Sequence, residues 1–216
     1  GMTTPSLHRQ SPVVFDATPT KLEPQDGWNV ARSYPQDSTL DSPRIIDLSH
    51  RPRWDYQDRC LDEKFPFGLH VPPRPGEVAI TSGLIISRMN RTQVSIGSIG
   101  CGAPTDTPPD VGYTDTTDSH CWLAILGKNT PTVMECVSSL DLFLPERITP
   151  FLTQGPVLHV PCQVVTMETD CILISFSRGY GQTFIDALLH SASDTEVQVG
   201  GEQVFTDWVA EKYGAT

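Results

Sequence analysis

The chain has 216 residues, 38% hydrophobic and 19% charged, which suits one generous domain or two small intertwined halves with a real core. A formal net charge of −11 disfavours nucleic acid and anionic membrane surfaces as main partners, because phosphate binding needs clustered Lys and Arg. No apolar run approaches the ~18 residues of a membrane-spanning helix. The opening GMTTPSLHRQSPV has no apolar signal core, so a cytoplasmic location is expected.

Cysteines stand at 60, 101, 121, 136, 162 and 171, with no CxxC and no zinc spacing, so no metal site is expected. All six read as reduced thiols. Cys121, Cys162 and Cys171 lie in apolar, strand-like runs, where cysteine acts as a small buried hydrophobe.

In chain order, residues 1–43 are rich in Pro, Ser, Thr, Asp and Gln and are expected to form an irregular arm. Val13, Val14, Phe15 and Trp28 suggest that parts of it dock. Ile45 to Leu48 reads as a short strand leaving into a turn at Asp47 or Ser49. The segment DYQDRCLDEKFPFGLHVPPRPG, where a helix would follow, is interrupted by prolines. GLIISRM (83–89) and TQVSIGSI (92–99) form an expected hairpin around Asn90 and Arg91. Residues 100–119, with three prolines and four aspartates, read as an exposed loop.

HCWLAIL (120–126) is the next strand, and Pro131 opens a helix with Val133, Val137 and Leu140 on one side. PVLHVPCQVVTM (156–167) and CILISFS (171–177) form a second hairpin. A helix over 180–192 follows, with Phe184, Ile185, Leu188 and Leu189 at helical spacing. Asp207, Trp208 and Val209 fall in a short terminal helix. The expected fold is α+β: one domain over 44–216, made of two pseudo-related halves (44–119 and 120–216), each ferredoxin-like (βαββα).

The chemistry-bearing motifs are weak. Asp47-Leu48-Ser49-His50 invites a triad reading, but no GxSxG surrounds Ser49, and chain neighbours cannot position one another as a triad. Asp47 and His50 are read as turn or cap residues. Neither GCG (100–102) nor GYG (179–181) supplies a phosphate cradle. Aspartates 106, 110, 115 and 118 do not match an EF-hand loop. Trp54, Trp122 and Trp208 fit either core packing or a pocket for a flat heterocycle. No catalytic residue is assigned.

The order of segments resembles the folate-binding, aminomethyltransferase-like family, which includes the glycine cleavage T protein and the γ subunit of heterotetrameric sarcosine oxidase. Ile46-Asp47-Leu48-Ser49 followed by Arg53 is similar to its entry segment. GLIISRMNRTQVSI (83–96), WLAILGKNTPTVMECVSSLDL (122–142) and VPCQVVTMETDCILISFSRGYGQTFIDALLHSA (160–192) resemble the γ-subunit branch. The likeness spans roughly residues 44–192.

It implies a non-catalytic γ-like subunit of a sarcosine oxidase-type amine oxidase in one-carbon metabolism. The partner subunits would carry the flavins and pass C1 units to tetrahydrofolate. Folate-using transferases place acidic residues in the strand aligned with Ser82 to Arg88, where this chain has none, so the group that would polarise the C1-carrying nitrogen is missing. RGYGQ (178–182) also lacks the cysteine of the related iron–sulfur repair proteins. The alternative is a folate-binding or aminomethyltransferase-like protein acting alone. In that case Arg53, Trp54, Arg88 and Trp122 would contact the pterin and its glutamate tail of a tetrahydrofolate ligand, by guanidinium forks and indole stacking.

Overall fold

The structure, a computed structural model, describes residues 9–38 and 41–214. Strands β1 (Lys21–Gln25) and β2 (Trp28–Ser33) form an antiparallel hairpin. Its turn residues Asp26 and Gly27 both take positive φ, 50° and 83°. That mirror-image turn matches the right-handed twist of the strands and favours an Asp-Gly pair. Part of the segment expected to be irregular is therefore regular, and Trp28 and Val30 are buried within it.

The next elements are β3 (Arg44–Asp47), β4 (Arg53–Gln57), β5 (Val78–Thr81), β6 (Leu84–Arg88), β7 (Gln93–Ser98) and β8 (Tyr113–Asp115). They are followed by β9 (His120–Leu126), α1 (Thr130–Val137), β10 (Phe151–Val157), β11 (Val160–Glu168) and β12 (Cys171–Ser177). The chain continues into α2 (Gly181–Ser191), β13 (Gln198–Val199) and α3 (Glu202–Tyr213). Two larger sheets result, with strand orders β10-β11-β12-β9-β3-β13 and β5-β6-β7-β4-β8. The segment 100–119 is not loop throughout: β8 pairs with β4, and Thr116 and Thr117 are buried.

The α+β class holds, but the halves differ from the βαββα expectation. In both, a first strand (β4 or β9) pairs antiparallel with the last of three hairpin-linked strands. β4–β7 and β9–β12 thus share one connectivity and one spatial order. Between β4 and β5 stand only 3-10 turns at Leu61–Glu63 and Pro66–Gly68, where the second half has α1. Pro66, Pro72, Pro73 and Pro75 explain this, since each lacks an N–H and clashes with the preceding turn. β3, expected to open the first half, instead joins the second half's sheet between β9 and β13.

Alternation along the strands separates three cores. One face of the six-stranded sheet packs Ile45, Leu123 and Ile174 under α1 and α2, with Val133, Phe184 and Leu188. Its other face, with Ile46, Trp122 and Leu173, meets Ile85 of the second sheet and Phe205 and Val209 of α3. The far face of the five-stranded sheet buries Trp54, Tyr56, Ile86 and Ile96 beneath Leu61 and Leu69. Because β9 and β12 are covered on both sides, HCWLAIL and CILISFS read as near-continuous apolar runs. Each fully buried Leu or Ile contributes about 1.5–3 kcal/mol.

Close approach of the two sheets depends on Gly97 of β7. A Cβ there would lie 2.6 Å from Cη2 of Trp122. Trp122 is anchored from behind: its N–H donates to Ser49 Oγ at 3.0 Å, and its carbonyl accepts the Leu48 N–H at 2.8 Å. Ser49 is held in turn by its own N–H, which donates to Asp47 Oδ1 at 2.9 Å. The Asp47–Ser49 turn is structural, as its composition implied.

The hairpin is fastened to α3 by one buried carboxylate. Glu202 accepts hydrogen bonds from Arg32 Nη1, Arg51 Nη2 and, at 3.1 Å, Thr206 Oγ1. His50 Nε2 lies 3.9 Å away. Burial pushes the Glu202 pKa up, but His50, Arg51 and Arg32 outweigh it and hold the carboxyl well below its ordinary 4.5.

A folded-state pKa below the unfolded one contributes stability that is present above the unfolded value and lost as the pH falls beneath it. The wild type's resistance to urea should therefore fall progressively below about pH 4.5. Glu202→Gln should flatten that acid limb and cost about 3–5 kcal/mol at neutral pH by stranding the buried Arg51 guanidinium, while Arg32 keeps Glu23 and Gln25. An unchanged acid limb in the variant would remove Glu202 from the account. Separately, Gly97→Ala should destabilise by about 1–3 kcal/mol through overpacking. Part of that loss should disappear in the Gly97→Ala/Trp122→Phe double variant, measured as a coupling in a double-mutant cycle.

Candidate functional site

Between the sheets, the side chains on one side of β4, β6 and β7 face those of β9, β11 and β12. They leave a slot of about 20 Å³ lined by Arg53, Ser87, Ser95, Trp122, Gln163 and Ser175, among others. Such a volume holds about one water-sized atom. Neither an Asp nor a Glu lines it.

Arg53 dominates the slot. Its guanidinium lies 5.0 Å from the centre of the Trp122 ring, in cation–π contact. Its Nη2 donates to Ser95 Oγ at 2.8 Å, and its backbone N–H donates to Thr117 Oγ1 at 3.0 Å. Nη1 has no hydrogen-bond partner among the described residues, and neither does the buried Ser175 Oγ. Burial pushes the Arg53 pKa down to about 10, with Asp55 opposing the shift, so the side chain remains cationic at neutral pH.

The slot adjoins a groove of about 580 Å³ that shares Gln163 and Ser175 with it and is also lined by His120, Gln154 and His159. His120 Nδ1 is 2.9 Å from Ser119 Oγ. Burial and then the Arg53 cation lower the His120 pKa, which favours neutral imidazole. Cys162 in the same groove is pushed up to about 12 by burial, so it does not present a thiolate at neutral pH. Its companions Cys121 and Cys171 are likewise buried, and all six cysteines are free.

Of the residues selected from sequence, Arg53 and Trp122 meet here. Trp54 points to the opposite face of its sheet, where Nε1 donates to Thr107 Oγ1 at 2.9 Å and the ring packs 4.6 Å from Phe67. Arg88 is engaged elsewhere. Its Nε donates to the Asn90 carbonyl at 3.0 Å, and its Nη1 donates to the Pro72 carbonyl at 3.1 Å and to Asp62 at 2.5 Å. Sequence reasoning missed Ser87, Ser95, Gln163 and Ser175. Their signal is faint: a small polar residue at an inward position of an otherwise apolar strand, as in CILISFS.

The site can present donors to an acceptor atom, and it contains no paired carboxylates for acid–base work. A pterin would need far more room than the slot offers, since pockets for such ligands run to hundreds of cubic ångströms. Among the described residues, no group of three or more His, Cys, Asp or Glu side chains gathers as a metal site. None of the described helices is long and apolar enough to cross a membrane.

No family model and no curated relative matches the chain. Solved structures do. A chain of heterotetrameric sarcosine oxidase from Corynebacterium sp. U-96, in complex with pyrrole 2-carboxylate, matches with TM-score 0.60 and 11% identity, over 74% of this chain and 92% of that one. The glycine cleavage system aminomethyltransferase T from Bartonella henselae matches with TM-score 0.51 and 15% identity, over 85% of this chain and 56% of that one. The chain therefore spans little more than half the length of that transferase. At these identities the likeness is one of fold: this protein has the α+β fold found in a sarcosine oxidase chain and in aminomethyltransferase T.

Proposed function

We propose that this chain is a non-catalytic, γ-like subunit of a sarcosine oxidase-type amine oxidase, serving one-carbon metabolism in the cytoplasm. The observation that carries the reading is the asymmetry of coverage: nearly all of the matched oxidase chain is accounted for, against about half of the transferase. The absence of a carboxylate along the slot and the slot's small volume support it. In this reading the flavins and the tetrahydrofolate site belong to larger partner chains, and this subunit stabilises the assembly. We also read β4–β7 and β9–β12 as products of a duplication, supported by their common connectivity.

A second reading, a folate-binding or aminomethyltransferase-like protein acting alone, draws on the Arg53–Trp122 pair beside a ligand-sized groove. Under it Arg53 and Trp122 are the two of the four selected residues that contact the ligand.

Affinity purification of the full chain from its native organism separates these readings. The subunit reading expects a yellow, flavin-containing complex with two larger chains, and no aminomethyl transfer by the chain alone. Purification of the chain by itself, with tetrahydrofolate saturably quenching its tryptophan fluorescence, would instead establish the second reading.

A further inference from the structure

Arg53 Nη1 and Ser175 Oγ are the two orphaned polar atoms of the intersheet slot, and both residues are more than nine-tenths buried. Among the described residues, no carboxylate lies within ion-pair distance of Arg53, although Arg9, Arg32, Arg51, Arg74 and Arg88 each have one. Burying an uncompensated cation is unfavourable, and the penalty is relieved when an anion supplies both charge and acceptor atoms. The slot has room for about one oxygen-sized atom. Next to it lies a groove of about 580 Å³, within the range of small-molecule pockets, with Pro156, Pro161 and Phe176 giving it an apolar wall.

We propose that the slot anchors the carboxylate of a small organic acid whose apolar body lies in the groove. One carboxylate oxygen enters the slot and accepts from Arg53 Nη1 and from the Ser175 hydroxyl. The second oxygen stays at the mouth, where the Gln163 side chain lines both spaces. Trp122 holds the guanidinium plane from the other side, so the fork is arranged before the ligand arrives. A monatomic anion would satisfy the charge but leave the groove unused. The binding site is independent of the oxidase-subunit reading, because a chain that purifies alone can still take up an acid.

The test uses the full chain and benzoate, with benzamide as its neutral isostere and chloride as a monatomic control, followed by calorimetry and thermal unfolding. Benzoate should bind saturably and raise the unfolding temperature, while benzamide and equimolar chloride should do neither. Arg53→Gln should abolish the effect, and Ser175→Ala, a small change that spares the fold, should weaken binding roughly tenfold. Proton NMR should show the His120 pKa rising in the benzoate complex, as the bound charge cancels that of Arg53. Absence of saturable benzoate binding, equal binding of benzamide, the same stabilisation by chloride, or unchanged affinity in Ser175→Ala would each overturn the proposal.

Discussion

The contact between the Trp122 indole and the bare Cα of Gly97 is the constraint on which the rest of the architecture depends. Two sheets pack face to face at about 10 Å, a distance normally filled by side chains from both. Here one large ring from β9 crosses the gap, and β7 yields the space by having no side chain opposite it. The Trp122 main chain is held by the Leu48 N–H and the Ser49 hydroxyl, so the turn after β3, the strand β9 and the second sheet meet at this one packing contact. The same ring is the floor on which Arg53 rests. Fold and site are therefore one construction.

That construction explains why a cation survives where apolar residues would be expected. Arg53 is surrounded by hydroxyls and an aromatic face, which stabilise a guanidinium less than a carboxylate would but do not neutralise it. An ion pair inside the slot would complete its charge and leave nothing to offer a visitor. The Glu202 cluster shows the opposite arrangement in the same molecule: its carboxylate is fully engaged by Arg32 and Arg51. One buried charge centre is closed and structural, and the other is open.

Much of this was legible from the residues, and the gaps have physical causes. The strands covered on both faces, β9 and β12, stand out as apolar runs, and α1 and α2 follow from helical spacing and Pro131. β10 was hidden because its turn to β11 uses Leu158 and His159 at positive φ, 51° and 65°, with no Gly or Asn to mark it. Asp26-Gly27 did carry the hairpin signal, but the Pro- and Ser-rich composition around it obscured it. At the site, Arg53 and Trp54 are chain neighbours of similar appeal. A strand sends neighbours to opposite faces, and only the position of the second sheet decides which one meets Trp122. Arg88 looks available in the sequence because the carbonyls and the Asp62 carboxylate that occupy it are brought to it only by the folding of the surrounding turns.

The clamp between Arg32 and Glu202 joins positions 170 apart in the chain. β3 likewise gains its outer neighbour only from β13, with Arg44 opposite Gln198. During synthesis, then, the segment 21–33 has emerged long before the surface it settles on, and strand β3 waits with an open edge. Long-range closures of this kind slow acquisition of the native state and leave apolar surface, here Trp28 and Val30, uncovered in the interval. A ribosome stalled before residue 202 would hold a nascent chain with its last layer missing, a species suited to capture by chaperones.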